Sequence, residues 1–235
     1  MTINGRQNHF LAALAEQQRK EVLAHSETIH FPSNSVLWEA GDFPRYVYFP
    51  TTCVVSLLSE TEDGSAIEVG MIGLEGVAGH SSAVGFSPPY RAIVQVAGDA
   101  IRVPVGTFKA LFEQRNGFQE LLLRFVVAFT TQVAQSVVCN RFHHVEERLA
   151  RWLLLTHDRV GSNTLKLTQE FISHMLGTRR ASVTVAAGML QEAGIIDYKR
   201  GRVTIIDRQK LEAASCECYQ VIRDELAKFT NGVSH

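Results

Sequence analysis

Between Leu165 and Asp207 the spacing of apolar residues changes from helical to alternating. Phe171, Ile172, Met175 and Leu176 recur at helical spacing behind Thr168. The Thr168 hydroxyl suits a helix N-cap, and Gln169 and Glu170 occupy the first turn, where a carboxylate complements the helix dipole. Gly177 breaks this short helix, and Thr178 is expected to cap a second one. There Val183, Ala186, Ala187 and Leu190 face inward, while Arg179, Arg180, Ser182 and Thr184 lie at the exposed start. Gly194 ends it. Ile195 to Tyr198 and Arg202 to Ile206 then alternate as two strands around a Lys199-Arg200-Gly201 turn. The pattern predicts a winged helix-turn-helix.

Upstream, residues 5–25 read as helical, with Phe10, Leu11, Leu14, Val22 and Leu23 on the apolar face. From Thr28 the period shortens. Strand-like runs at Val36–Trp38, Tyr46–Phe49, Cys53–Leu58, Ala66–Ile72, Ala92–Val96 and Ala100–Val103 are separated by Pro, Gly, Asn and Asp. Short strands with regular turns predict a barrel or roll. Residues 117–143 then form a long helix, about 40 Å at 1.5 Å per residue, with Phe118, Leu122, Phe125, Phe129, Val133 and Val137 at three- and four-residue steps. Apolar residues occupy much of its remaining circumference, so packing one face inward leaves another bare for a partner's helix. Leu122, Phe125, Phe129, Val133 and Val137 are the expected dimer stripe. Val145–Leu154 opens the next helix after a hinge near Asn140–His144. The expected domains are a roll over 1–115, a dimerisation helix and hinge over 116–143, and a DNA-binding domain over 144–235.

Composition narrows the function. Of 235 residues, 46% are hydrophobic and 20% charged, which argues against disorder. The formal charge is -1, yet residues 165–210 hold eight basic and four acidic side chains, so positive charge gathers where phosphates would lie. No uninterrupted apolar run of membrane-spanning length and no signal-type N-terminus appears, so a cytoplasmic protein without membrane contact is expected. Cys53, Cys139, Cys216 and Cys218 are too scattered for a disulfide framework. Cys216 and Cys218 form a close pair, but no second Cys/His pair stands near them, and packing on a terminal helix is the favoured reading. His143 and His144, as helix neighbours, point about 100° apart and do not chelate together. Glu68 and His80 are isolated candidates for a cupin-type site on a roll. The expectation is no metal, no cofactor, no catalytic residues and no enzyme.

A helix whose first turn carries two arginines and two hydroxyls suits a major groove. There arginine bonds guanine O6 and N7, while hydroxyls serve bases or phosphates. Thr168 and Gln169 sit beside it, and Lys199, Arg200 and Arg202 in the wing suit phosphates.

Over nearly its whole length the sequence resembles the cyclic-AMP receptor/Fnr (Crp/Fnr) family of bacterial transcription regulators. The resemblance rests on the roll glycines Gly41, Gly64, Gly73, Gly79 and Gly98, on the long helix, and on Glu147-Arg148-Leu149-Ala150. It rests most on Leu167-Thr168-Gln169-Glu170 through Gly177, Val183, Leu190 and Gly194-Ile195-Ile196. It implies an α+β chain: a cyclic-nucleotide-binding-like β-roll (a double-stranded β-helix), a dimerisation helix and a C-terminal winged helix-turn-helix. It also implies a homodimer reading a palindromic site on double-stranded DNA, with RNA polymerase as a partner.

The same resemblance places an effector pocket at Gly73, Gly79, His80, Arg91, Ala92, Val133 and Ala134. The family's cassette pairs Gly-Glu on the ribose with Arg-Ser or Arg-Thr on the phosphate. Here His80 replaces the glutamate, Ala92 the hydroxyl, and Val133 and Ala134 the hydroxyls that meet the base. Losing such partners costs several kcal/mol, so tight binding of cyclic AMP is not expected. The alternatives are another metabolite, a redox response through Cys139 or Cys53, or no effector. No cysteine precedes Cys53, which argues against the family's iron-sulfur cluster, and no histidine stands out as a haem ligand. In the reading helix Arg180 keeps one family arginine, but Ala181 and Val185 replace a glutamate and a second arginine. A different half-site is expected. A non-specific architectural binder would instead distinguish little between cognate and random DNA.

Overall fold

The structure, a computed structural model, describes residues 7–231, with side chains to Phe229. The elements in order are α1 (His9–Ala13), α2 (Glu16–Ala24), β1 (Glu27–Phe31), β2 (Val36–Trp38), β3 (Tyr46–Pro50), β4 (Val54–Glu60) and β5 (Ala66–Ile72). A 3-10 turn (His80–Val84) leads to β6 (Arg91–Val96), β7 (Gly98–Pro104) and α3 (Val105–Glu113). Then come α4 (Gly117–Phe142), α5 (Val145–Val160), β8 (Thr164–Lys166), α6 (Gln169–Leu176), α7 (Arg180–Glu192), β9 (Ile196–Lys199), β10 (Arg202–Ile205), α8 (Arg208–Ala213) and α9 (Cys218–Asn231).

The roll consists of two antiparallel sheets, ordered β1-β7-β3 and β2-β6-β4-β5. Phe49, Val55, Leu57, Val94 and Val103 fill the space between them. The helix expected over residues 5–25 is broken: Ala15 is extended and separates α1 from α2, while residues 5 and 6 lie outside the described part. Asn8 caps α1 and spans the roll, donating from Nδ2 to the Pro50 and Gly76 carbonyls at 2.9 and 2.8 Å. This brings Phe10 among Phe49, Phe118, Phe125 and Phe229, with ring centroids 5.8–6.3 Å away. Phe229 comes from the last helix, so α9 returns from the C-terminal part to close the N-terminal core.

β4 is buried on both sides, which explains why its sequence does not alternate. Val55 and Leu57 face the roll interior, whereas Val54 and Leu58 join Leu149, Trp152 and Leu153 of α5 in the core of the C-terminal domain. The two domains therefore share a sheet. Their seam also carries polar groups. Arg159, nearly fully buried, pairs with Glu75 at 2.7 Å, and its Nη2 also donates to Gln132 of α4 at 3.2 Å. Its aliphatic stem lies where a side chain at Gly73 would be, 2.6 Å from an added Cβ.

α4 is long and apolar enough, by length and composition alone, to cross a membrane, with a mean hydropathy of 1.5 in its most apolar window. Its inner face is core, however. Leu122, Phe125 and Phe129 of the expected dimer stripe are buried in their own chain, and Val133 is half-buried against the same core. Only Val137 of that stripe is well exposed. The bare face is the opposite one: Leu123, Val127 (66% exposed), Ala134, Val137 (67%) and Phe142 (73%). Helical spacing showed that two apolar faces exist, but not which one the roll would take.

At the seam, Ser56 Oγ lies 2.6 Å from Glu68 Oε2 and 2.7 Å from Gln95 Oε1. With one hydroxyl hydrogen, Ser56 satisfies both when a protonated Glu68 donates to it, or when the Gln95 amide is turned to donate to it. Gln95 in turn donates to Thr156, and Trp152 Nε1 donates to the other Glu68 oxygen at 3.0 Å. Burial raises the Glu68 carboxyl to about 7, against the opposing pull of Ser56, Arg151, Trp152 and Arg159. A carboxyl raised in the folded state stabilises it fully below the ordinary carboxylate range and loses that contribution as pH rises through the folded value. The melting temperature should therefore fall between about pH 5 and about pH 8, and Glu68→Gln should flatten that slope. An unchanged slope in the variant, followed by circular dichroism, would assign it to other groups.

Candidate nucleic-acid interface

Thr168 caps α6, accepting from the Phe171 amide at 3.1 Å, and Gly177 ends it in a left-handed conformation. The Gly177 and Thr178 amides return to the His174 and Ser173 carbonyls, closing the helix end. Thr178 does not cap α7. Arg179 occupies that position, without a side-chain cap, and α7 begins at Arg180. The first turn of α7 thus presents Arg179 and Arg180, both exposed, with Ser182 half-buried behind them. Val183, Ala186, Ala187 and Leu190 fix the other face of α7 in the domain core, as their spacing predicts.

Thr184 faces out, but its hydroxyl is engaged by the Arg180 carbonyl and Gln169 Oε1, each at 3.1 Å. The contact with Gln169 braces α6 against α7. Exposed Val185 and Met189 continue the same face of α7.

The wing is a tight hairpin. Lys199 pairs with Arg202 across a two-residue loop, in which Arg200 and Gly201 both have positive φ (49° and 72°). This is the turn that matches strand twist, and it favours glycine at the second position. β8 adds a third strand beside β10, and the Leu167 amide donates to the Gly201 carbonyl at 2.8 Å, tying the wing tip to the start of α6. Thr168, Gln169, Arg180, Tyr198, Arg200 and Gly201 line an open cleft of about 420 Å³. Tyr198 was not singled out by its sequence position; its hydroxyl donates to the Leu167 carbonyl at 3.0 Å and holds the floor of the cleft.

Charge is distributed unevenly over this surface. Lys199 pairs with Asp197 on its own strand at 3.2 Å, and Arg208 and Lys210 pair with neighbouring carboxylates. Among the described residues, Lys166, Arg179, Arg180, Arg200 and Arg202 have no ion-pair partner, so these five present the positive face. Guanidiniums left in water at a cleft rim suit phosphates and base edges.

The effector-pocket positions lie in different local settings. Gly79 has φ 89° and opens the 3-10 turn, where the His80 ring packs edge-on against Phe125 and Phe129 at 5.6 and 5.4 Å. Burial holds the His80 imidazole below its ordinary range. Arg91 pairs with Glu39 at 3.0 Å and Glu60 at 3.4 Å, Ala92 is buried in the sheet, Gly73 lies under Arg159, and Ala134 is on the exposed side of α4. Glu68 and His80 have separate partners and do not form a metal site together.

Residues 147–214 match the Crp-like helix-turn-helix domain family. No curated protein sequence matches the chain significantly. Among solved structures, FixK2 from Bradyrhizobium japonicum superposes with a TM-score of 0.69 at 17% identity, over 81% of this chain and 98% of that one. The Crp-family regulator TTHB099 from Thermus thermophilus gives 0.66 at 17%, over 80% and 96%. The c-di-GMP-responsive global regulator CLP from Xanthomonas campestris gives 0.61 at 16%, over 81% and 99%. The C-terminal part of the chain is a Crp-like helix-turn-helix, and the fold as a whole is that of Crp/Fnr transcription regulators.

Arg180→Ala should weaken binding to a selected cognate duplex by about 1–3 kcal/mol and relax base preference, as for loss of a bidentate guanine contact. Arg200→Ala should weaken all duplexes alike and flatten the salt dependence. Fluorescence anisotropy with cognate and scrambled DNA separates the two; an equal loss on both from Arg180→Ala would make it a phosphate contact.

Proposed function

We propose that the protein is a homodimeric, cytoplasmic transcription regulator that reads a palindromic site on double-stranded DNA and does not bind cyclic AMP tightly. The observation that carries this reading is the α6–α7–wing constellation, where Arg180 and Arg200, without ion-pair partners among the described residues, line one cleft. The reading helix is α7. Arg180 addresses guanine, exposed Val185 offers an apolar contact for a thymine methyl, and Gln169, Arg200 and Arg202 fix the register on phosphates. The half-site therefore differs from one read by glutamate and two arginines.

Dimerisation follows from the bare face of α4. Leu123, Val127, Ala134 and Val137 make a narrow apolar seam, and a second copy presents the same seam about a two-fold axis. Two reading helices then meet half-sites about 34 Å apart. RNA polymerase is the expected partner of the DNA-bound dimer.

The chemistry of the roll argues against cyclic AMP. A phosphate at Arg91 competes with Glu39 and Glu60, and the His80 ring offers aromatic contact instead of a carboxylate for a ribose hydroxyl. Burial pushes the Cys53 thiol up to about 12, which disfavours the thiolate that a redox response through it would need.

Sedimentation of the purified chain should give a dimer. Val127→Asp should shift it to monomer and abolish cooperative binding to the palindrome, whereas a dimer persisting in the variant would place the interface elsewhere. Titration with cyclic AMP, cyclic GMP or cyclic di-GMP should leave the melting temperature unchanged. A ligand at a hundred times its Kd adds about 2.7 kcal/mol, and a clear rise with one nucleotide would identify it as the effector.

A further inference from the structure

The α4–α5 junction lies against the start of α9, and four side chains converge there from positions the sequence holds far apart. Cys139 is on the last turns of α4, His143 follows that helix, Cys216 lies just before α9 and Cys218 begins it. Their ligand atoms, three Sγ and one ring nitrogen, all lie within 4.8 Å of one another. Cys139 Sγ is 3.5 Å from Cys216 Sγ, and Cys218 Sγ is 3.7 Å from His143 Nδ1. Bonds of about 2.3 Å to sulfur and about 2.0–2.1 Å to nitrogen, set tetrahedrally, put ligand atoms about 3.5–3.8 Å apart. These two separations fall in that range.

Three further features belong with a metal centre. The three cysteines are buried together as a cluster separate from both hydrophobic cores. The second ring nitrogen of His143, Nε2, faces Glu217 Oε1 at 3.2 Å. A carboxylate there fixes the tautomer that leaves Nδ1 free to coordinate, a recurring arrangement around metal-bound histidine. Thirdly, Arg148 and Arg151 are buried, 7% and 6% exposed, and the Nε of each has no hydrogen-bond partner among the described residues. Both guanidiniums act electrostatically on Cys139. Buried cations need compensation. Three thiolates around a divalent ion leave a net charge of -1, which these arginines answer.

We propose that Cys139, His143, Cys216 and Cys218 bind one zinc ion in a closed tetrahedral site that staples the end of the dimerisation helix to the start of the C-terminal helix. Zinc fits this donor set because it favours tetrahedral thiolate and imidazole ligation and imposes no redox chemistry. Four protein ligands leave no open position, so the site is structural. It spans the junction between α4 and α5 and sets the orientation of the DNA-binding domain relative to the dimer axis.

The test uses the full-length, tag-free chain purified with a reductant. Elemental analysis should find about one zinc per chain, resistant to dialysis. Cys216→Ser/Cys218→Ser should reduce that at least about tenfold, while Cys53→Ser leaves it unchanged. Because the double variant alone does not separate misfolding from ligand loss, the wild-type chain is also stripped and reloaded with cobalt(II). It should then show the visible d–d bands and sulfur-to-cobalt charge transfer of a tetrahedral thiolate site. Hydrogen exchange around residues 139–147 and 214–222 should accelerate on stripping and recover on adding zinc. Full titration of all four cysteines as free thiols with no metal uptake, a Cys139–Cys216 disulfide in place of metal, or an iron-sulfur spectrum would each overturn the assignment. Unchanged exchange on stripping would overturn the staple.

Discussion

Arg159 carries a charge into a place that tolerates one only in company. Its guanidinium meets Glu75 from the loop after β5 and Gln132 from the long helix, while its stem fills the space above Gly73. An isolated ion there would be far too costly, and a buried pair holds only with good geometry and additional hydrogen bonds. These partners come from two parts of the chain remote from α5. The seam is therefore cooperative: separating the C-terminal domain from the roll exposes Val54, Leu58 and Trp152 and breaks the ion pair in the same motion. The hydrogen bonds through Ser56, Glu68, Gln95 and Thr156 add direction to that contact.

The turn between α6 and α7 is drawn into the same contact. A Cβ on Gly177 would come within 2.6 Å of the Ile67 side chain of β5. The β4–β5 hairpin and that turn also line a shared cleft of about 570 Å³, bounded by Asp63, Ser65, Ile67, His174, Gly177 and Arg179. Gly177 thus meets two demands, a left-handed helix end and close approach to the roll. The β4–β5 hairpin therefore lies next to the turn that leads into Arg179 and Arg180.

Much of this was legible in the sequence because it depends on neighbours in the chain. Thr168 as a cap, Gly177 as a break, the inward face of α7 and the hairpin around Arg200-Gly201 are local matters, and the roll strands announced themselves through their turns. What was illegible depends on long-range packing. Leu122, Phe125 and Phe129 were read as a dimer stripe, yet helical spacing alone does not distinguish a helix's own core from its partner. Residues 105–113 were assigned no element, although Val105, Phe108, Leu111 and Phe112 recur at the helical spacing that α3 adopts. Cys139 and His143 lay 77 and 75 positions from the cysteines they face, so a search for neighbouring ligands passed over them. The charge and aromatic partners of Arg91 and His80 were equally out of reach.

The return of α9 has a mechanical consequence. The DNA-binding domain is joined to the rest of the chain at the start of α5, and α9 joins it again by lying along α4 and seating Phe229 among Phe10 and Phe125. A body held at one point swings through a cone; a body held at two turns only about the line between them. Packing of α5 on β4 fixes the domain further; were that seam to part while both attachments held, the motion left to α7 would be a single angle, like a door on two hinges. Any signal that acts on this protein then has one coordinate to move, unless it first peels the last helix away.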